Sequence, residues 1–182
     1  MTRRKPRLFS FAREVELSYF PDVGPGTPTW HVLAYAVAAF ASVCEDRSLS
    51  PDRIARVMAA ATHQHPSVCG LGTSRLAVLS HYFPEVSAAF AELMRHASLQ
   101  VRLFATTALS NAPTDMAREH LRVALADPEW QVRKAAAQVC SAVPLPGVLP
   151  ALRAAREIER DARVRIVLQL AEEHQARVAT PA

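Results

Sequence analysis

Along the second half of the chain, apolar residues recur at intervals of three and four, and one short phrase returns three times. The segments read SLQVRLFATTALSNAP from Ser98, PEWQVRKAAAQVCSAVP from Pro128 and DARVRIVLQLAEEH from Asp161. Their Val-Arg pairs, Val101-Arg102, Val132-Arg133 and Val164-Arg165, stand 31 and 32 residues apart. A near-constant interval of this length marks a repeating structural unit. Each pair opens an apolar stretch with helical period, and each is preceded by another such stretch, over 86–97, 115–126 and 147–160. The pattern therefore predicts three successive helix pairs.

The same rhythm extends backwards with less definition. Residues 50–63 read as a first helix and 73–83 as its partner, closed by Pro84 as Pro113 and Pro144 close the next two. Val68-Cys69 lies where a Val-Arg pair would be expected. Residues 29–44 form a further helix carrying Trp30, Leu33, Val37, Phe40 and Val43 at helical spacing. Ser50-Pro51-Asp52 and Asp127-Pro128-Glu129 each place a capping side chain before a proline, and Thr114-Asp115 offers another cap. Pro144, Pro146 and Pro150 forbid one continuous helix, so a turn falls at 144–147, with Pro150 in the first turn of the next helix.

The Pro/Gly-rich segment FPDVGPGTP, residues 20–28, separates a short amphipathic stretch at 8–19 from the rest. The organisation expected is a basic N-terminal tail, short helix and linker over 1–28, then a single helical repeat domain over 29–182. Beyond Arg177 the chain is expected to fray.

Residues 121–139, LRVALADPEWQVRKAAAQV, carry Asp127, Pro128, Val132, Arg133, Ala135 and Ala136 in an order that resembles a HEAT repeat. The unit around Asp161, Val164 and Arg165 is similar, and that around Val101 and Arg102 has Ser98 where an acid is expected. The resemblance is best over 86–178. It implies an all-α fold, an α-solenoid of about three to four stacked antiparallel helix pairs with an N-terminal helical cap. It also implies a structural role for Arg102, Arg133 and Arg165, with Asp127 and Asp161 forming inter-repeat pairs. The polar run Glu172, Glu173, His174, Gln175 and Arg177 suits a solvent-facing terminal cap.

Composition supports the fold class. Half the residues are hydrophobic, alanine dominates them, only five are glycine, and aromatics make up 7%. That mix suits close-packed helices and disfavours sheets. The net charge of +4 is carried almost wholly by arginine, since Lys5 and Lys134 are the only lysines. Codon usage of a GC-rich genome accounts for arginine and alanine together, so nucleic-acid binding is permitted and not favoured. Cys44, Cys69 and Cys140 form no C-x-x-C pair and read as buried, reduced thiols. No apolar run is long enough for a signal peptide or a membrane span, which leads us to expect a soluble cytoplasmic protein.

Candidate chemistry is sparse. Arg102, Arg133 and Arg165, with Lys134, define a positive ladder that would face a ligand if it were not used structurally. Arg3, Arg4, Lys5 and Arg7 form a basic tail suited to an acidic partner or nucleic acid. Arg153, Arg156, Arg160 and Arg163 are blunted by interleaved Glu157, Glu159 and Asp161. His63, His65 and His81 lack a third ligand at fitting spacing, so no metal is expected. Neither a G-x-S-x-G elbow, nor H-E-x-x-H, nor a phosphate-cradling glycine loop occurs, so no catalytic residue and no cofactor are assigned.

The reading is a non-catalytic interaction module that binds another protein. The alternative is a nucleic-acid-binding protein similar to HEAT-like alkylpurine DNA glycosylases, which use a Trp/Asp/Arg constellation on damaged bases; here Trp130, Asp127 and Arg133 lie close in sequence, but the repeat pattern already explains Asp127 and Arg133. An enzyme-associated subunit resembling bilin lyases is a third class, with no specific residue to support it.

Overall fold

The computed structural model describes Phe20 and residues 22–179. Among them are nine α-helices and no strand: α1 Pro28–Asp46, α2 Pro51–Ala61, α3 Pro66–Leu79, α4 Val86–Leu93, α5 Leu99–Ala108, α6 Thr114–Ala124, α7 Trp130–Ala142, α8 Leu149–Ile158 and α9 Ala162–Ala179. A 3-10 turn, Leu109–Asn111, follows α5. The residues fall into two compact units, one up to Arg75 and one from Leu76, so the boundary lies within α3. The short helix read over 8–19 lies outside the described residues.

In the first unit α1 packs against α2. Thr27 starts α1 by accepting a hydrogen bond from the Trp30 amide at 3.1 Å, and Ser50 starts α2 by accepting from the Arg53 amide at 3.3 Å. A side-chain cap of this kind contributes about 1 kcal/mol by pairing an orphan amide. Val23, Leu33, Ala36, Val37, Ala60, Val68 and Leu71 form the core, with Phe20, Trp30 and Val32 packed on it.

Helix α3 begins at Pro66, seven residues before the start read from the sequence at Thr73. The helix passes through Gly70 and Gly72, and at Gly72 α2 lies against it. A β-carbon on Gly72 would stand 2.2 Å from the Ala61 nitrogen and 2.6 Å from the Ala60 carbonyl carbon. The Cys69 thiol donates to the Ala61 carbonyl at 3.0 Å in the same crossing. Backbone meets backbone here, and glycine is what permits it.

The second unit is three helix hairpins, α4–α5, α6–α7 and α8–α9. Helix α7 packs on both α5 and α9, while α4 packs on α5 and α6. The repeat shows in the core: Phe90, Leu121 and Leu152 are fully buried on successive first helices, and Val101, Val132 and Val164 on successive second helices. Burying each such side chain contributes roughly 1.5–3 kcal/mol. Ala105, Ala135 and Ala136 keep the second helices close. His120 is buried as well, its Nε2 3.2 Å from the Ser87 hydroxyl, which ties α6 to α4.

Between α7 and α8 the chain turns where the prolines require, with Gly147 at φ 82°. Gln175 holds this turn from α9. Its carbonyl oxygen accepts from the Leu145 amide at 2.9 Å, and its amide nitrogen donates to the carbonyls of Cys140 and Val143 at 2.5 and 2.7 Å. Gln175 is therefore buried and does not belong to the solvent-facing cap read from the sequence. Proline leaves the turn without regular backbone partners, and a side-chain amide with both donor and acceptor supplies them.

The cysteines correct one expectation. Cys69 and Cys140 are buried, but Cys44 is exposed at the end of α1. Burial pushes the Cys140 thiol up to about 12, which makes it a poor nucleophile. A disulfide-exchange reagent at mildly alkaline pH should consume one thiol per native molecule, Cys44, and the other two only after denaturation. Rapid reaction of Cys140 in the native protein would contradict the packing of α7. Gly72→Ala should lower stability by about 2–3 kcal/mol through overpacking, although alanine is the better helix former by about 1 kcal/mol. A urea titration showing stabilisation would remove the α2–α3 crossing.

Candidate functional site

The conspicuous polar structure of the second unit lies along its interhelical turns. Three residues there, His96, Asp127 and Glu159, each stand six positions before a Val-Arg arginine. Each side chain accepts from the backbone amide two residues on: His96 Nδ1 from Ser98 at 3.1 Å, Asp127 Oδ1 from Glu129 at 2.9 Å, Glu159 Oε1 from Asp161 at 2.9 Å. The arginine then reaches back across the turn. Arg102 Nη1 donates to the carbonyls of His96 and Ala97, Arg133 Nη1 to those of Asp127 and Pro128, and Arg165 Nη2 to that of Glu159 at 2.8 Å.

The remaining guanidinium donors cross to the next repeat. Arg102 grips Asp127 through Nε at 2.8 Å and Nη2 at 3.2 Å. Arg133 grips Glu159 through Nε at 2.7 Å and Nη2 at 2.9 Å. This two-pronged geometry matches a planar carboxylate to a planar fork. The hydrogen bond from Arg133 holds the Glu159 carboxyl below its usual range, against the opposing effect of burial. The hydrogen bond to Asp127 likewise raises Arg102.

Of the residues singled out from the sequence, the turn network thus brings together Arg102, Asp127 and Arg133. Arg165 is exposed and meets no carboxylate among the described residues. Lys134 is half-buried beside Arg133 and joins no ion pair among them. Asp161 is held by Arg163 of its own repeat at 2.6 Å, which lowers it to about 2. The acid that crosses between repeats is Glu159, because α8 runs on to Ile158 and the turn into α9 starts there. The signal that finds it in the sequence is the six-residue spacing to the arginine. Arg3, Arg4, Lys5 and Arg7 lie outside the described residues.

The constellation considered for base chemistry is fully engaged. Asp127 holds Arg102, Arg133 holds Glu159, and the Trp130 ring is covered by the Arg163 guanidinium, 3.6 Å from its centroid. Beside the first rung lies an open groove of about 450 Å³, lined by the apolar Met94, Ala97, Val123, Ala126 and Pro128 and by Arg95, His96, Arg102 and Asp127.

Compared with known proteins, residues 86–171 match the family model described as HEAT repeats. No curated protein and no solved structure matches the chain.

Glu159→Gln should cost roughly 3 kcal/mol, the order expected when one partner of a largely buried pair is neutralised. Because its folded value is depressed, Glu159 stabilises fully above the unfolded carboxyl value of about 4.3, and the contribution is lost as pH falls through the folded value. Stability measured against pH should therefore fall less steeply on the acid side in the variant than in the parent. Identical acid limbs would show that the pair carries no linkage.

Proposed function

Starting from residues 86–171 being HEAT repeats, we propose that the chain is a non-catalytic module that binds another protein through its repeat surface. Repeats of this kind build extended surfaces and commonly mediate protein interactions. The observation that carries the reading is how polar and apolar groups are divided. Arg102 and Arg133, with Asp127 and Glu159, are used up in holding one repeat to the next, whereas large apolar side chains stand in solvent. Val123 is 42% exposed, Ile158 77%, Ile166 62% and Leu170 53%. Ile166 and Leu170 share one face of α9, a turn apart, with Arg165 beside them. Aliphatic residues among arginines are the composition of a protein-binding surface, where apolar burial supplies affinity and charge supplies orientation.

Three cysteines, none of them in a disulfide, suit a reducing compartment such as the cytoplasm. No described helix is long and apolar enough to cross a membrane.

Partners retained by the immobilised chain should stay bound in salt that shrinks the Debye length to about 3 Å, and should be lost with Ile166→Asp combined with Leu170→Asp. Retention of every partner by that variant, with the fold intact, would remove α9 from the surface. Labelled duplex and single-stranded DNA should show at most weak anisotropy changes that vanish as salt rises. Tight, salt-sensitive DNA binding would overturn the reading.

A further inference from the structure

Resting on that reading, we infer that the groove between the first two turns of the second unit docks an extended acidic peptide with an aliphatic side chain near its carboxylate. The groove, about 450 Å³, lies in the size range of built binding sites. Five of its nine lining residues are apolar, and Val123 among them is 42% exposed. In the register set by Phe90, Leu121 and Leu152, Val123 stands where the flanking repeats carry Glu92 and Ala154. The helix pair does not need a large aliphatic residue at this position, so it is free to serve a ligand.

The edge of the groove departs from the repeat in the same way. His96 occupies the position that Asp127 and Glu159 fill later, and performs their turn bond with Nδ1. That bond places the ring proton on Nε2, so a donor stands where the other turns present an acid. Arg95, next to it, donates to the Ala91 carbonyl of the preceding helix at 3.2 Å and meets no carboxylate among the described residues. Arg102, which forms the inner wall, has its donors committed to Asp127 and to two carbonyls. With Asp127 held by Arg102, the polar groups of the groove left to meet a ligand are the Arg95 guanidinium and His96 Nε2, in a lining otherwise apolar. A carboxylate fits Arg95 and His96 while a leucine-sized side chain covers Val123.

A nucleic-acid backbone fits poorly. Its successive phosphates need a row of cations, whereas Asp127 and Glu129 stand beside Arg102.

The test is a selection of short random displayed peptides on the immobilised full chain, followed by anisotropy of the enriched peptides with chain variants. The diagnostic variant is His96→Asp, which keeps the turn bond in the form Asp127 uses and reverses the edge from donor to acceptor. Arg95→Gln and Val123→Ser test the other two contacts, with thermal unfolding to confirm that each variant is folded. Enriched peptides should combine Asp or Glu with Leu, Ile or Val, and His96→Asp should weaken them by about tenfold or more. Acidic peptides that bind His96→Asp and Arg95→Gln as well as the parent would overturn the groove assignment while leaving protein binding standing. Enriched peptides without acidic residues would overturn the ligand class. Failure to enrich any peptide would overturn the inference, and only if joined by tight DNA binding would it also remove the underlying reading.

Discussion

The bidentate contact between an arginine and the carboxylate of the following turn is the interaction on which the second unit depends. Helix hairpins of this length bury too little apolar surface to persist singly, so they stand or fall with their neighbours. Apolar packing drives that association but slides easily. The contacts of Arg102 with Asp127 and of Arg133 with Glu159 fix the register, because a fork-to-carboxylate pair tolerates little displacement. Each carboxylate also accepts from its own turn and each guanidinium donates to the carbonyls of its own turn, so every rung ties two turns internally and to each other.

Desolvation sets what such a pair is worth. The Glu159 side chain is 3% exposed and that of Arg133 20%, so the carboxylate has given up nearly all its water. A buried pair can be close to neutral relative to an apolar replacement, but a buried carboxylate left alone is costly. Here two arginine donors and two backbone amides satisfy it. The rung therefore acts chiefly as a specificity device: the correct register satisfies the charge and any other register strands it. The same turn bond occurs in the first unit, where His63 Nδ1 accepts from the His65 amide at 3.0 Å and Cys69 stands at the arginine position.

Much of this was legible in the sequence, and what was not has physical reasons. The Val-Arg interval and the prolines located the three hairpins of the second unit, since both are local signals of helix period and helix interruption. The start of α3 at Pro66 was not legible, because a glycine such as Gly72 that permits close approach looks the same in sequence as one that breaks a helix. Gln175 misled as a polar residue in a polar run, whose partners lie some thirty residues away. Glu159 was masked by Asp161, the nearer acid to Arg165, until the spacing of six residues from His96 to Arg102 and from Asp127 to Arg133 was applied to the third turn. The groove at Arg95, His96 and Val123 is visible only once the repeat register is known, because its content lies in departures from that register.

The central claim, that the rungs couple successive repeats, is tested most directly by a double-mutant cycle on Arg133 and Glu159, with each replaced by methionine singly and together and unfolding followed in urea. The account predicts a coupling free energy of roughly 1.5–3 kcal/mol, with the double variant folded and less destabilised than the two single variants would sum to. Additive effects, with coupling near zero, would mean that the two side chains are neighbours and nothing more.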